Sequence, residues 1–303
     1  MFFKFGGKMD LKQFLVLPGQ KVKLKNYHPD FTGGLKKDEA RKQFEKDTKR
    51  LGEFQDMMFA QNPRTYGALG VFQASDGAGK DSVAQGVMSQ VRHSGCRFTS
   101  FGVPTDHELD HAYQWRHALA EPRRGCFDIW IRSHLEEVLA ARVHPEVLAR
   151  QHLPEKLKDK DIWKRRYAEL RNYHWYLFSN GFTVIIIFLH ISWEKQWKQL
   201  YERIADPTKH WKSSIKDVQE RQKHWKIYHK AVETMLSEIS TENTHAYIVP
   251  ADHRWFAKML VARIFVQELE RLNLRYPKLT GERKKEIGET RKLLLAEKEG
   301  HRK

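Results

Sequence analysis

Apolar and polar positions follow two alternating patterns along most of this 303-residue chain. Short apolar runs predict strands at 68–74, 98–103, 126–131, 183–190 and 246–250. Between and around them, apolar residues recur at helical spacing, which predicts helices at 38–60, 81–92, 107–120, 134–150, 160–180 and 193–205. Strands that alternate with helices predict a three-layer α/β sandwich around a central five-stranded parallel sheet. The run 184–189 is apolar on both sides, as is typical of a central buried strand.

Three further segments lie outside this alternation. Residues 1–37 show little periodicity and carry turn signals such as Leu17-Pro18-Gly19, so we predict an extended arm lying on the main body, residues 38–277. Residues 206–240 form a long charged insertion between the last two strands, which we predict to be a helical lid. Residues 278–303 have the composition of a charged, solvated helical tail.

The charge of the chain indicates the class of partner. Lysine and arginine number 54 against 38 acidic residues, a net charge of +16. Such an excess favours a polyanionic partner, either nucleic acid, an acidic membrane surface or a phosphate polymer, and charge alone does not choose among them. No nucleic-acid-binding motif is present in the sequence. We therefore expect no nucleic acid partner.

Cysteine content and hydrophobic runs indicate the compartment. The two cysteines, Cys96 and Cys126, suit neither a metal site nor a disulfide framework. Residues 1–8 are interrupted by lysines too early for a signal peptide, and the longest apolar run, 182–189, is too short to span a membrane. We expect a cytoplasmic protein with no membrane partner.

The first strand leads into a glycine-rich loop, Asp76-Gly-Ala-Gly-Lys-Asp81, and then a helix. Glycines allow a tight turn close to anionic oxygens, and loop amides and the helix N-terminus direct positive partial charge at them. The spacing resembles a P-loop, although Ala74 and Asp81 replace the first glycine and the hydroxyl residue. An ordinary strand-to-helix turn is the alternative. The candidate phosphate-binding residues are Gly77, Ala78, Gly79, Lys80, Asp81 and Ser82.

Asp76, Lys80 and Arg132 are the candidate catalytic residues. A carboxylate among phosphates is repulsive unless a cation intervenes, and Mg²⁺ prefers one or two carboxylates plus phosphate oxygens. Asp76 is therefore the candidate metal ligand, with a helix-capping role as the alternative. Arg132 directly follows the predicted strand 126–131 and so lies at the carboxyl edge of the sheet, where ligands bind. Its guanidinium can hold phosphate through two hydrogen bonds, or form a structural salt bridge.

The predicted lid contributes three cationic candidates. Lys209, Lys212 and Arg221, with Trp211 and Trp225 interleaved, favour binding of the polymer or the nucleotide as a set. Each alone is equally well explained as a solvated surface charge. The histidines, which include His111, His134 and His144, show no ligand spacing, and we assign them structural or surface roles.

Short motifs in one order connect the chain to a known family. They are Asp30-Phe-Thr-Gly-Gly34, the loop 76–81, Ser100-Phe-Gly-Val-Pro-Thr105, Glu108-Leu-Asp110, Tyr113-Gln-Trp-Arg116, Arg132-Ser-His134, Arg142-Val-His-Pro-Glu146, Asp161-Ile-Trp-Lys164 and Val249-Pro-Ala-Asp-His-Arg-Trp-Phe256. From about residue 20 to residue 277 the chain resembles the polyphosphate kinase 2 family. The resemblance implies phosphoryl transfer between inorganic polyphosphate and a nucleotide (ADP or AMP, GDP or GMP), a P-loop kinase-like fold, Mg²⁺ held by Asp76, and a dimeric or tetrameric homo-oligomer.

Three residues depart from the family pattern near the expected chemistry. Ile131 stands where Asn or Asp is usual before Arg-Ser, Leu135 replaces an aromatic residue, and Ile186 replaces a lysine expected to project toward the phosphates. Asp128 cannot replace the missing polar group, because it faces the other side of the strand about 10 Å away at ~3.3 Å per residue. The chain is then either an enzyme with altered metal support or a catalytically weak homologue that binds polyphosphate or nucleotide. The retained Asp76, Lys80 and Arg132 favour the enzyme.

Overall fold

A computed structural model of the chain describes residues 9–300; the first eight residues of the predicted arm and the last three of the predicted tail lie outside the described residues. One six-stranded sheet is present there, in the order β1-β6-β5-β2-β4-β3. The strands are β1 Leu15–Val16, β2 Gly67–Ala74, β3 Cys96–Ser100, β4 Phe127–Ile131, β5 Phe182–His190 and β6 Thr244–Pro250. Strands β2 to β6 pair in parallel, which confirms the predicted five-stranded parallel sheet. The prediction missed β1, a two-residue strand of the arm that pairs antiparallel with β6.

The described α-helices are α1 Lys37–Ala60, α2 Lys80–Val87, α3 Asp106–Leu109, α4 Trp115–Ala118, α5 Glu136–Val143, α6 Pro145–Ala149, α7 Ile162–Ser179, α8 Trp193–Ala205, α9 Ile215–Ile239, α10 Arg254–Glu270 and α11 Gly281–Gly300. Short 3₁₀ helices lie at Leu11–Gln13, Leu24–Asn26, His93–Gly95, Glu155–Leu157 and Pro207–Lys212. None of these described helices combines the length and the apolar character that a membrane crossing requires.

Two predicted helices are interrupted in the structure. The helix predicted at 134–150 breaks into α5 and α6 at His144, which has φ −120° and ψ 93°. Pro145 causes the break, because a proline disfavours helical geometry in the residue before it. The helix predicted at 107–120 divides into α3 and α4, with Arg116 reaching back from α4 to Glu108 and to the carbonyl oxygen of Gly102.

The sheet has a hydrophobic core on each face. Helices α1, α2 and α10 cover one face, where alternate strand residues such as Ile129 and Ile131 pack in one cluster. Helices α5, α7 and α9 cover the other face, where Trp130 and Ile186 belong to the second cluster. Every residue of β2 is buried, as expected for a strand covered on both faces. This is the three-layer arrangement that the alternating pattern predicted.

The arm contacts helix α9, and the two halves of α9 differ in how far they are buried. The backbone N–H groups of Val22 and Leu24 donate to Ser237 Oγ and Glu233 Oε1 of α9, each at 2.9 Å. The second half of α9 is buried against the sheet from Ala231 to Ile239, whereas in its first half only Arg221 is buried. The first half of α9 and the preceding 3₁₀ helix therefore form the polar part of the lid. The proposed domain limits at 37 and 277 stay predictions.

Candidate active site

The loop between β2 and α2 has the backbone conformation that its glycines permit. Gly77 and Gly79 have φ values of +85° and +84°, a left-handed conformation that favours glycine. Gly79 is the N-cap of α2, so the N–H groups of the first turn point toward the loop. Ala78 is buried and donates its N–H to the carbonyl oxygen of Ser75 at 3.3 Å. The turn is therefore tight, as the sequence predicted.

Asp76 and Arg132 are brought together by neighbouring strands. β2 and β4 pair with Phe72 opposite Ile131, so the residues after both strands share one edge of the sheet. Arg132 Nη2 donates to Asp76 Oδ1 at 3.3 Å. Burial opposes the charge of Arg132, but the carboxylates of Asp76 and Glu136 outweigh it and raise the pKa of the guanidinium. Arg132 also has φ +58°, which is uncommon for a residue with a side chain and is often retained at functional positions.

Lys80 is directed back into the loop. Its side chain is buried, and Nζ donates to the carbonyl oxygen of Ala74 at 2.9 Å. Lys80, Asp76 and Arg132 line one cavity, so the structure brings the three catalytic candidates together. Of the six predicted phosphate-binding residues, Lys80 is the one among the described residues that line this cavity; Gly77, Ala78, Gly79, Asp81 and Ser82 are not, and Asp81 is exposed on α2.

Sequence reasoning missed Glu136, which lies beside these three residues. Burial raises the pKa of its carboxyl group, although Lys80 and Arg132 oppose the increase. The Gln73 side-chain amide lies 2.9 Å from Glu136 Oε1, in the orientation that also satisfies Ser133 Oγ. Glu136 begins α5 four residues after Arg132, so it is held near the loop by the strand end itself. An acidic residue in the first helical turn after Arg132 was the available signal.

The lid contributes different residues from most of those predicted. Asp217 lines the cavity and accepts from Arg203 Nη1 at 2.7 Å. Burial and the nearby Asp76 carboxylate raise the pKa of Asp217, although Arg203 opposes them. Arg221 also lines the cavity, with its guanidinium 3.3 Å from the ring centre of Trp193. Asp217 was not predicted, because nothing in its local sequence indicates that it faces the loop.

Lys209 and Lys212 are not brought to the cavity. Lys209 Nζ lies 2.9 Å from Asp206 Oδ2, and Lys212 Nζ lies 4.6 Å from the ring centre of Trp211. Trp211 is 78% exposed. In this conformation only Arg221 of the three lid cations reaches the cavity described above.

The three departures from the family pattern are apolar and buried. Ile131 is in the cluster that contains Ala78 of the loop. Ile186 and Leu135 belong to the cluster on the other face, and both are fully buried. Asp128 is held on that face by Arg97 and by the N–H of Arg123 at 2.9 Å. As predicted, Asp128 does not stand in for a polar residue at position 131.

The cavity that joins these parts has a volume of about 600 Å³, within the range of small-molecule sites. Helix α5 lines it from Glu136 to Val143, about 10 Å at ~1.5 Å per residue. Further along, Arg166 pairs with Glu137 at 2.9 Å and lies 4.3 Å from the ring centre of Tyr113. The cavity therefore combines an end lined by Asp76, Lys80 and Arg132 with an aromatic and polar extension.

The fold and this site define an α/β protein with a glycine-rich loop and a cavity at the carboxyl edge of a parallel sheet. The family model of polyphosphate kinase 2 matches residues 34–277, so the chain belongs to the polyphosphate kinase 2 family. This confirms the resemblance stated from the motifs.

Individual relatives agree with this assignment. The chain is 36% identical over 290 residues to an ADP-polyphosphate phosphotransferase of Rhodopseudomonas palustris, covering 95% of this chain and 99% of the relative. It is 35% identical over 269 residues to an AMP/ADP-polyphosphate phosphotransferase of Meiothermus ruber, covering 88% and 96%. The crystal structure of polyphosphate kinase 2 from Arthrobacter aurescens TC1 superposes with a TM-score of 0.79 at 30% identity, covering 88% of this chain and 93% of that chain.

Proposed function

We propose that this protein is a phosphotransferase that moves a phosphoryl group between inorganic polyphosphate and a nucleoside mono- or diphosphate. The single observation that carries the proposal is the convergence of Asp76, Lys80 and Arg132 on one cavity at the carboxyl edge of the sheet. The names of the relatives, AMP/ADP- and ADP-polyphosphate phosphotransferase, support adenine nucleotides as substrates. Guanine nucleotides stay a prediction.

Phosphoryl transfer requires mainly positioning and neutralised charge. The loop amides and Lys80 would hold the oxygens of the transferred group, while Arg132 would neutralise charge that develops on them. For Arg132 to do so, its contact with Asp76 must loosen as phosphate enters. Arg221 would then add a cation from the lid side of the same cavity.

The residues fit a bound Mg²⁺ ion. Asp76 presents a partly exposed carboxylate to the cavity, and Glu136 and Asp217 place further carboxylates on its lining. Mg²⁺ is commonly bound through one or two carboxylates plus substrate phosphates, and such a site matches that chemistry. Asp76 would hold the ion, which would offset phosphate charge in the transfer. The raised pKa values of Glu136 and Asp217 reflect burial that a nearby cation would offset.

The nucleotide would occupy the extension of the cavity beyond Glu136. Tyr113 and Phe101 provide aromatic surfaces there, and Arg116 and Arg166 provide cations on the lining. A nucleotide phosphate oxygen needs little activation if it is held in line with the donor. We further propose that the protein acts in the cytoplasm and forms a homo-oligomer, both of which stay predictions.

The decisive experiment measures nucleotide formation from polyphosphate with Mg²⁺, for wild type, Lys80→Ala and the matched control Lys42→Ala on the exposed side of α1. Activity in wild type and Lys42→Ala, with loss in Lys80→Ala, supports the proposal. A panel of AMP, ADP, GMP and GDP in the same assay identifies the acceptor.

The alternative is a catalytically weak homologue that binds polyphosphate, suggested by Ile131 and Ile186. It predicts no turnover in wild type together with salt-sensitive binding of polyphosphate. The names of the relatives favour the enzyme over this alternative.

A further inference from the structure

Two histidines and a glutamate meet at the junction between the lid and the body. Glu220 and His224 lie on α9 four residues apart, and therefore on one face of the helix. His144 lies between α5 and α6. One potential ligand atom from each of the three side chains lies within 4.8 Å of the other two. Local spacing gave no sign of this cluster, because 76 residues separate His144 from Glu220.

Both ring nitrogens of His144 lie near a carboxylate group. Its Nε2 lies 2.9 Å from Glu220 Oε1, and its Nδ1 lies 3.4 Å from Glu146 Oε1. Metal-ligating histidines usually donate the other ring N–H to a carboxylate or carbonyl group, which fixes the ring orientation. The Glu146 carboxylate is near enough to accept a hydrogen bond from Nδ1 of His144. Nε2 of His144, which lies near Glu220, would then be the nitrogen that binds the metal.

His224 supplies an independent indication. Its Nδ1 is buried and has no hydrogen-bond partner within residues 9–300. The His224 ring centre lies 4.9 Å from that of His144. A buried polar atom without a partner is costly, and most are satisfied by protein, water or an ion. A cation bound through Nδ1 would satisfy this group.

We propose that His144, Glu220 and His224 bind one transition-metal ion of the Zn²⁺ type. Two imidazoles and a carboxylate suit zinc, whereas Mg²⁺ takes oxygen ligands, so this site is distinct from the one at Asp76. Ligand atoms around tetrahedral zinc lie ~3.4 Å apart at bond lengths of about 2.1 Å, so small side-chain rotations close the present cluster. His144 Nε2 loses any proton it carries to solvent as the metal binds.

The site would fix the lid to the body. In the first half of α9 only Arg221 is buried, so this segment is less firmly packed than the second half, although Trp225 contacts Trp193 with ring centres 5.2 Å apart. A metal shared by α9 and the α5–α6 junction would strengthen the connection that His144 and Glu220 already make there. Because Arg221 follows Glu220 directly, the metal would also hold the backbone of Arg221 beside the cavity that its side chain lines. All three ligands line that cavity, and three protein ligands leave a fourth position open.

The test is a calorimetric titration of the chelator-treated full-length protein with Zn²⁺ alone. We expect one site per chain that is lost in His224→Ala and in Glu220→Gln. It should persist in Asp76→Asn, which removes the proposed Mg²⁺ ligand, and in His210→Ala, which removes an exposed lid histidine outside the cluster. Glu146→Gln should weaken binding by roughly 10–100-fold through its effect on His144.

Hydrogen exchange gives a second readout that does not depend on activity. Zn²⁺ should slow exchange of the amides in the first half of α9 in wild type and leave it unchanged in His224→Ala. Zinc binding of equal stoichiometry in wild type and His224→Ala, or no stoichiometric binding in wild type, would overturn the site. Unchanged exchange in zinc-loaded wild type would overturn its role in fixing the lid.

Discussion

Arg132 Nη2 lies 3.3 Å from Asp76 Oδ1, and this contact joins the residues that follow two adjacent parallel strands. The pair holds a cation and an anion at the edge of the sheet beside a loop suited to phosphate. When a metal–phosphate complex binds, Asp76 can release Arg132 and bind the metal, and Arg132 can release Asp76 and bind the phosphate. On the proposed function, the contact keeps both groups in place before substrate binds.

Replacement of Arg132 by lysine tests the requirement for a guanidinium. Lysine keeps the charge but cannot make two parallel hydrogen bonds to one phosphate. We expect the kcat of Arg132→Lys to fall by ~10²-fold or more, as for loss of one transition-state contact. Steady-state kinetics measure it, with Arg41→Lys on exposed α1 as the control. Equal kcat in both variants would show that Arg132 is not used in transfer.

Replacement of Gly79 by alanine tests the loop conformation. Gly79 has φ +84°, and an added Cβ would lie 3.5 Å from Arg254 Nε, an ordinary contact, so backbone strain is the main cost. We expect a loss of about 1–2 kcal/mol in the free energy of unfolding, the cost of left-handed geometry for a residue with a side chain. Urea unfolding measures it. Gly288→Ala, in a helix with open space around it, is the control and should not be destabilised.

Ile131→Asn tests whether the missing polar residue limits metal support. Ile131 is 5% exposed, so burying an amide there should lower the free energy of unfolding by about 1–3 kcal/mol. If the position is limiting, the rate at low Mg²⁺ should nevertheless rise, and less Mg²⁺ should be needed for half-maximal activity. The reaction rate of Ile131→Asn and of wild type, measured over a range of Mg²⁺ concentrations, tests this prediction. An unchanged curve would mean that activity is not limited at position 131.

His117 should make the protein sensitive to acid. Burial, helped by Arg116, lowers the pKa of its imidazole from 6.5 to about 4, while the ring packs 4.3 Å from that of Phe101. Between these values the unfolded chain binds a proton that the folded protein does not, so stability falls as the pH decreases from 6.5 to 4. The contribution lost is up to about 3 kcal/mol at 1.36 kcal/mol per pKa unit.

Unfolding curves at several pH values measure this effect. The slope should be smaller in His117→Gln than in wild type and unchanged in the control His28→Gln, an exposed histidine. Identical slopes in wild type and His117→Gln would assign the acid sensitivity to other groups. His174 and His190, whose pKa values burial lowers to about 3 and about 4, would then be the next histidines to replace.

The parts of the fold that follow from local pattern were predictable. The apolar run of β5 and the glycines of the loop specify a buried strand and a left-handed turn from their own residues. The break at Pro145 was also present in the sequence, and the prediction overlooked it. Strand β1 was not predictable, because two residues carry no periodicity and β1 exists only through pairing with β6.

Only those site residues that belong to a sequence motif or directly follow a strand could be predicted from the sequence. Asp76, Lys80 and Arg132 met this condition, and the cavity contains all three. Glu136 could have been inferred from its place in the first helical turn after Arg132, whereas Asp217 reaches the cavity only through the packing of α9. The junction of His144 with His224 depends on the same packing. Spacing along the chain cannot show contacts of this kind.

The most direct measurement is a crystal structure of the protein with magnesium and a short linear polyphosphate. We predict phosphate density against the N–H groups of residues 77–80, with a magnesium ion between that phosphate and the Asp76 carboxylate. An empty loop, with the polyphosphate bound at another surface, would contradict the account.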